Sequence, residues 1–93
     1  MQIRDIDQEA PKIEFPCDYP IKVMGVASEA FQQVVLEVIH RHASPVPEDR
    51  VTERASARGN YISVTVVIEA TGEKQLNTIF RELMDHESVK IVL

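Results

Sequence analysis

From residue 61 to residue 70 the side chains alternate without a break. Ile62, Val64, Val66, Ile68 and Ala70 point one way; Tyr61, Ser63, Thr65, Val67 and Glu69 point the other. A period of two is the signature of a β-strand, whose successive side chains leave opposite faces of the sheet. One face of this strand is core and the other is wet. Any helices in the chain must therefore gather on a single face of the sheet that contains it.

The remaining segments supply those partners. Ile21 and Val23 alternate with Lys22 and Met24 in a short strand that stops at Gly25, after an extended lead-in bracketed by Pro16 and Pro20. Ser28 stands as a helix N-cap with Glu29 just inside it, and Phe31, Val34, Val35, Val38 and Ile39 follow at helical spacing. Arg41 and His42 suit the last turn, and Pro45 and Pro47 forbid continuation. Residues 51–56 read as an edge strand guarded by Glu53 and Arg54, and Ala57-Arg58-Gly59-Asn60 as a turn. Thr71 or Gly72 opens a second helix with a stripe of Leu76, Ile79, Phe80 and Leu83. Val89, Ile91 and Leu93 form a closing strand.

The order is β-α-β-β-α-β, the pattern of a ferredoxin-like α+β sandwich. The expected sheet is antiparallel, with strands in the order 4-1-3-2 and both helices on one face. Phe31, Val35, Val38, Val64, Val66, Leu76, Phe80 and Leu83 should be buried. Residues 1–15 lack periodicity and read as a mobile arm; residues 16–93 form one domain.

Few chemistries fit these residues. Fifteen acidic against ten basic side chains give a net charge of −5, a field that repels phosphate backbones, so no nucleic-acid partner is expected. No apolar run exceeds three residues and the first residues carry no leader-like stretch, so the expectation is a cytoplasmic protein without a membrane segment. Cys17 is the single cysteine, which excludes an intramolecular disulfide. His40 and His42 diverge by about 200° on a helix and cannot share an ion. Solvated histidines, no metal and no cofactor are expected. No nucleophile motif or Walker loop is present, which argues against an enzyme.

Several stretches resemble the YbeD-like proteins: Tyr19-Pro20-Ile21-Lys22-Val23-Met24-Gly25, Arg41-His42-Ala43, Ser56-Ala57-Arg58-Gly59-Asn60-Tyr61-Ile62-Ser63-Val64, and the terminal Val92-Leu93. The resemblance runs from about Phe15 to the end, with Ser44 inserted before Pro45 as a departure. It implies a small ferredoxin-like domain similar to ACT domains, and with it a non-enzymatic binding or regulatory role. The alternative is a protein-interaction domain with no small ligand. Gly25 matches the glycine of the ACT ligand loop, but Val23-Met24 replace the acidic residue and proline usual before it.

In this topology the loop after the first strand, the hairpin turn and the loop before the last strand share one end of the sheet. Gly25, Ser28, Arg58, Gly59 and Asn60 meet there, with His86 near them. Backbone donors, a helix N-terminus and Arg58 could hold a carboxylate or phosphate. The expected partners are a small anionic metabolite or a protein, with a weak homodimer as a further expectation.

Overall fold

The computed structural model describes residues 14–93. Strand β1 (Cys17–Val26) leads to helix α1 (Phe31–His42), then to a 3-10 turn (Glu48–Arg50) and strand β2 (Val51–Ala55). Strand β3 (Tyr61–Ala70), helix α2 (Glu73–Met84) and strand β4 (Val89–Val92) complete the chain. The sheet runs β2-β3-β1-β4 with every neighbour antiparallel, which is the expected 4-1-3-2 order read from the other edge. No helix among the described residues is long and apolar enough to cross a membrane. Of the expected mobile arm, residues 1–13 lie outside the described residues, and Phe15 packs against the core.

Both helices press their apolar stripes onto one face of the sheet. Phe31, Val35, Val38 and Ile39 of α1 and Leu76, Ile79 and Leu83 of α2 meet Ile21, Val23, Ile62, Val64, Val66 and Ile68 of the two central strands. No polar side chain is buried among the described residues, so the core is held by apolar burial alone. Phe80, expected inside, is half-buried: the inner stripe of α2 is Leu76, Ile79 and Leu83, and Phe80 packs at its margin.

Strand β1 is longer than its alternating residues suggested, because it runs through Pro20. Lys22 N–H donates to Leu93 O at 3.0 Å, so even-numbered residues of β1 aim their N–H groups toward β4. At Pro20 strand β4 has already ended, and the missing proline N–H leaves no rung empty.

Two local expectations are corrected. Ser28 is no helix cap: Phe31 N–H donates to the Ser28 main-chain carbonyl at 3.3 Å, and α1 begins at Phe31 with Ala30 in the cap position. The chain spends residues 28–30 turning off the sheet before helical geometry starts. Strand β4, meanwhile, does not keep Val89, Ile91 and Leu93 on one face. Gly25 pairs with Val89, but Met24 pairs with Ile91 and Val23 with Val92, so Lys90 is an extra residue in the ladder. This β-bulge reverses the alternation after Val89. Val89 is buried, whereas Ile91 and Leu93 face the open side.

Candidate functional site

Three distant stretches do meet at one end of the sheet. Val26 N–H donates to Ser88 O at 2.9 Å, tying the end of β1 to the loop before β4. Ala27 N–H donates to Asn60 O at 3.0 Å, tying the same segment to the β2–β3 hairpin. The hairpin is closed by Gly59 N–H to Ser56 O at 2.9 Å and by Tyr61 N–H to the Ser56 hydroxyl at 3.1 Å. Gly59 adopts φ +76, which glycine reaches without strain. Ser28, Arg58 and Asn60 are exposed around this end.

Gly25 serves the core there. A Cβ at this position would overlap the Ser88 carbonyl oxygen and lie 2.5 Å from the Phe31 ring. The space a ligand would need beside Gly25 is filled by Phe31, and the glycine allows that close approach.

Concave surface lies just inward of the hairpin, on the face of the sheet that the helices leave open. A hollow of about 180 Å³ is bordered by Lys22, Met24, Arg54, Tyr61 and Ser63. A second, of about 270 Å³, continues along Lys22, Thr52, Glu53, Arg54, Ser63 and Thr65. The register explains the grouping. Ser63 of β3 stands opposite Met24 on one side and Arg54 on the other, and Thr65 stands between Lys22 and Thr52. Lys22 and Arg54 thus flank β3 from its two neighbours.

Neither cation makes an ion pair among the described residues. Glu53, next to Arg54 in sequence, lies on the helix side, where Gln32 Nε2 donates to its Oε1 at 2.9 Å. The acids of the open face, Asp18 and Glu69, stand opposite each other four residues down the strands, about 13 Å away. That exceeds the screening length of about 8 Å at physiological salt. Asp18 is also committed: Arg50 bridges it at 3.0 Å and holds its carboxyl below the ordinary range, chiefly by hydrogen bonding. In the sequence, Lys22 stands out of phase with the apolar Ile21 and Val23, and Arg54 reads as a charge guarding an edge strand. What the sequence did not reveal is that they border one hollow with Tyr61 at its end.

His40 and His42 lie at the far end of the domain, where His40 is exposed as expected and His42 is half-buried, while His86 sits in the loop before β4. His40 Nε2 accepts from Val46 N–H at 3.2 Å, fixing the chain after α1. His42 is half-buried, with Nε2 2.9 Å from Glu82 Oε2, while Arg41 reaches Glu82 Oε1 at 3.1 Å. Gln75 Nε2 adds a bond to His42 O at 2.8 Å. Hydrogen bonding to His42, and then to Arg41, holds the Glu82 carboxyl below its ordinary value of 4.5. A carboxyl lowered on folding contributes stability above its unfolded pKa and loses it as pH falls through the folded value. Urea midpoints measured from pH 7 to pH 3 should fall on acidification, and Glu82→Gln should flatten part of that fall. An unchanged acid limb in Glu82→Gln would remove Glu82 from the helix–helix staple.

Comparison with known proteins bears on family and fold. Residues 10–93 match a family described as protein of unknown function (DUF493). A UPF0250 protein of Azotobacter vinelandii is 48% identical over 90 residues, covering 96% of this chain and 98% of the relative. A UPF0250 protein of Neisseria gonorrhoeae is 44% identical over 81 residues, covering 87% and 89%. Among solved structures, protein HP0495 from H. pylori superimposes with a TM-score of 0.71 at 20% identity, covering 94% of this chain and 91% of that one. The ACT domain from GTP pyrophosphokinase of Chlorobium tepidum gives 0.63 at 15% identity, covering 83% and 97%. At these identities the structural likeness establishes the fold alone.

Proposed function

The chain belongs to the DUF493 family of proteins of unknown function, and from that premise we propose that it is a non-enzymatic binding and regulatory module. It recognises an anionic group, carried by a small metabolite or by a partner protein, on the open sheet face beside the β2–β3 hairpin. Fold likeness to an ACT domain supplies only the architecture; the site carries the role. The supporting observation is the pair Lys22 and Arg54, without ion-pair partners among the described residues, bordering the same hollows. Charge-assisted hydrogen bonds from an ammonium and a guanidinium are the strong kind, and the Ser63 and Thr65 hydroxyls lie between them. Arg58 stands exposed on the neighbouring hairpin turn.

Thermal denaturation with inorganic phosphate or citrate tests this reading. Binding to the native state alone raises the melting temperature with ligand concentration. Both anions also stabilise proteins generally by exclusion from the surface, so the comparison is with the Lys22→Glu/Arg54→Glu double variant. The wild type should gain at least twice the stabilisation of the variant. Equal gains would overturn the reading. Loss of the gain in Arg58→Glu, with the double variant unaffected, would move the site to the tip formed by Ser28, Arg58, Gly59 and Asn60.

A further inference from the structure

The open face is divided lengthwise by chemistry. Ile91, Met24, Ser63 and Arg54 form one row across the sheet. Leu93 exchanges two main-chain hydrogen bonds with Lys22, so Leu93, Lys22, Thr65 and Thr52 form the next. Val26 and Tyr61 pair in a third. The β4–β1 side is therefore apolar, and the β3–β2 side carries hydroxyls and Arg54, with Lys22 on the border. Ile91 (46% exposed), Leu93 (63%), Val26 (43%) and Tyr61 (52%) present this apolar surface to solvent. The bulge at Lys90 creates it, since unbroken alternation from Val89 would turn Ile91 into the core.

Dimensions select the occupant. The apolar strip is two strands wide, about 10 Å with its side chains, which is the diameter of an α-helix. Four residue steps from Val26 to Lys22 make it about 13 Å long, or roughly nine helical residues. The two open hollows at its edge, about 180 and 270 Å³, are each below the ~300 Å³ at which enclosed small-molecule sites begin. The surface offers breadth, not depth. Neither described helix of a second copy supplies it, because α1 and α2 both commit their apolar stripes to their own core.

We propose that the open face docks an amphipathic helix of a partner protein. The apolar stripe of that helix lies on Met24, Val26, Ile91 and Leu93, and an acidic flank faces Lys22 and Arg54. The inference rests on the anion-binding reading above and names the anion as Glu or Asp carboxylates of a helix. Helix-in-groove recognition uses anchors at i, i+3, i+4 and i+7 in this way.

The test uses the full chain and three synthetic 14-residue helical peptides, followed by NMR titration. One peptide carries a leucine stripe with a glutamate flank, one the same stripe with a lysine flank, and one the glutamates with the leucines scrambled. The glutamate-flanked amphipathic peptide should bind at least tenfold more tightly than the other two, shifting Lys22, Met24, Arg54, Ile91 and Leu93. The Lys22→Glu/Arg54→Glu variant should reverse the preference to the lysine flank. No binding at millimolar peptide, equal binding of the scrambled peptide, or an unreversed preference would overturn the inference. So would a micromolar homodimer dissolved by Ile91→Lys, which assigns the face to a second copy. If phosphate still stabilises the wild type over the double variant while no peptide is preferred, the helix fails and the anion reading stands. If both responses are absent, both fall.

Discussion

Val66→Asp is expected to remove a large part of the stability of the domain. Val66 is fully buried at the centre of β3, paired with Ile21 on one side and Val51 on the other, beneath both helices. No polar side chain is buried nearby to receive a carboxylate. The expected cost is about 4 kcal/mol or more, set against a total of about 5–14 kcal/mol for a domain of this length. The melting temperature should drop by roughly 16 °C or more. Val67→Asp, one residue along on the open face, is the matched control and should cost within about 1 kcal/mol. Circular dichroism melts of the two variants decide the matter. If Val66→Asp melts with the wild type, the faces of β3 have been assigned the wrong way round.

Gly25→Ala should cost about 3 kcal/mol, at the severe end for one added carbon. The new methyl meets the Ser88 carbonyl and the Phe31 ring, and the carbonyl is held by its bond from Val26 N–H. Backbone cannot swing aside as a flexible side chain would. Gly72→Ala, with nothing within 4 Å of its Cβ position, should be close to neutral. The two melts also separate packing from ligand recognition. A Gly25→Ala protein that keeps its melting temperature but loses its response to phosphate would make Gly25 a binding residue, contrary to its place under Phe31.

The fold was legible wherever burial imposed a simple period. The alternation of β3, the stripes of α1 and α2 and the turn at Gly59 follow directly from side-chain chemistry. With the short connections they leave one sensible topology. What escaped were features decided by tertiary contacts. Ser28 has the right side chain for a cap, but its position is settled by how the chain leaves β1 and is latched through Ala27 to Asn60. The sequence Val89-Lys90-Ile91-Val92-Leu93 looks like clean alternation. Only pairing with β1 shows that Lys90 is extra and that Ile91 and Leu93 turn outward.

The candidate site divides along the same line. The convergence of three loops at one end followed from strand directions and is seen in the bonds from Val26 and Ala27. The role of Gly25 beneath Phe31 did not follow, because it depends on where a distant helix lands. Lys22 and Arg54 are 32 residues apart in sequence and each is an ordinary surface cation alone. Their shared hollow exists because β3 lies between β1 and β2 in one particular register.

That the open face recognises an anion is most directly tested by a ¹⁵N–¹H correlation titration of the full chain with citrate. Shifts should concentrate on residues 22–24, 52–54 and 61–65, and should vanish in the Lys22→Glu/Arg54→Glu variant. Shifts confined to residues 40–47 and 71–78 at the far end, or spread evenly over both faces and unchanged by the double substitution, would contradict it.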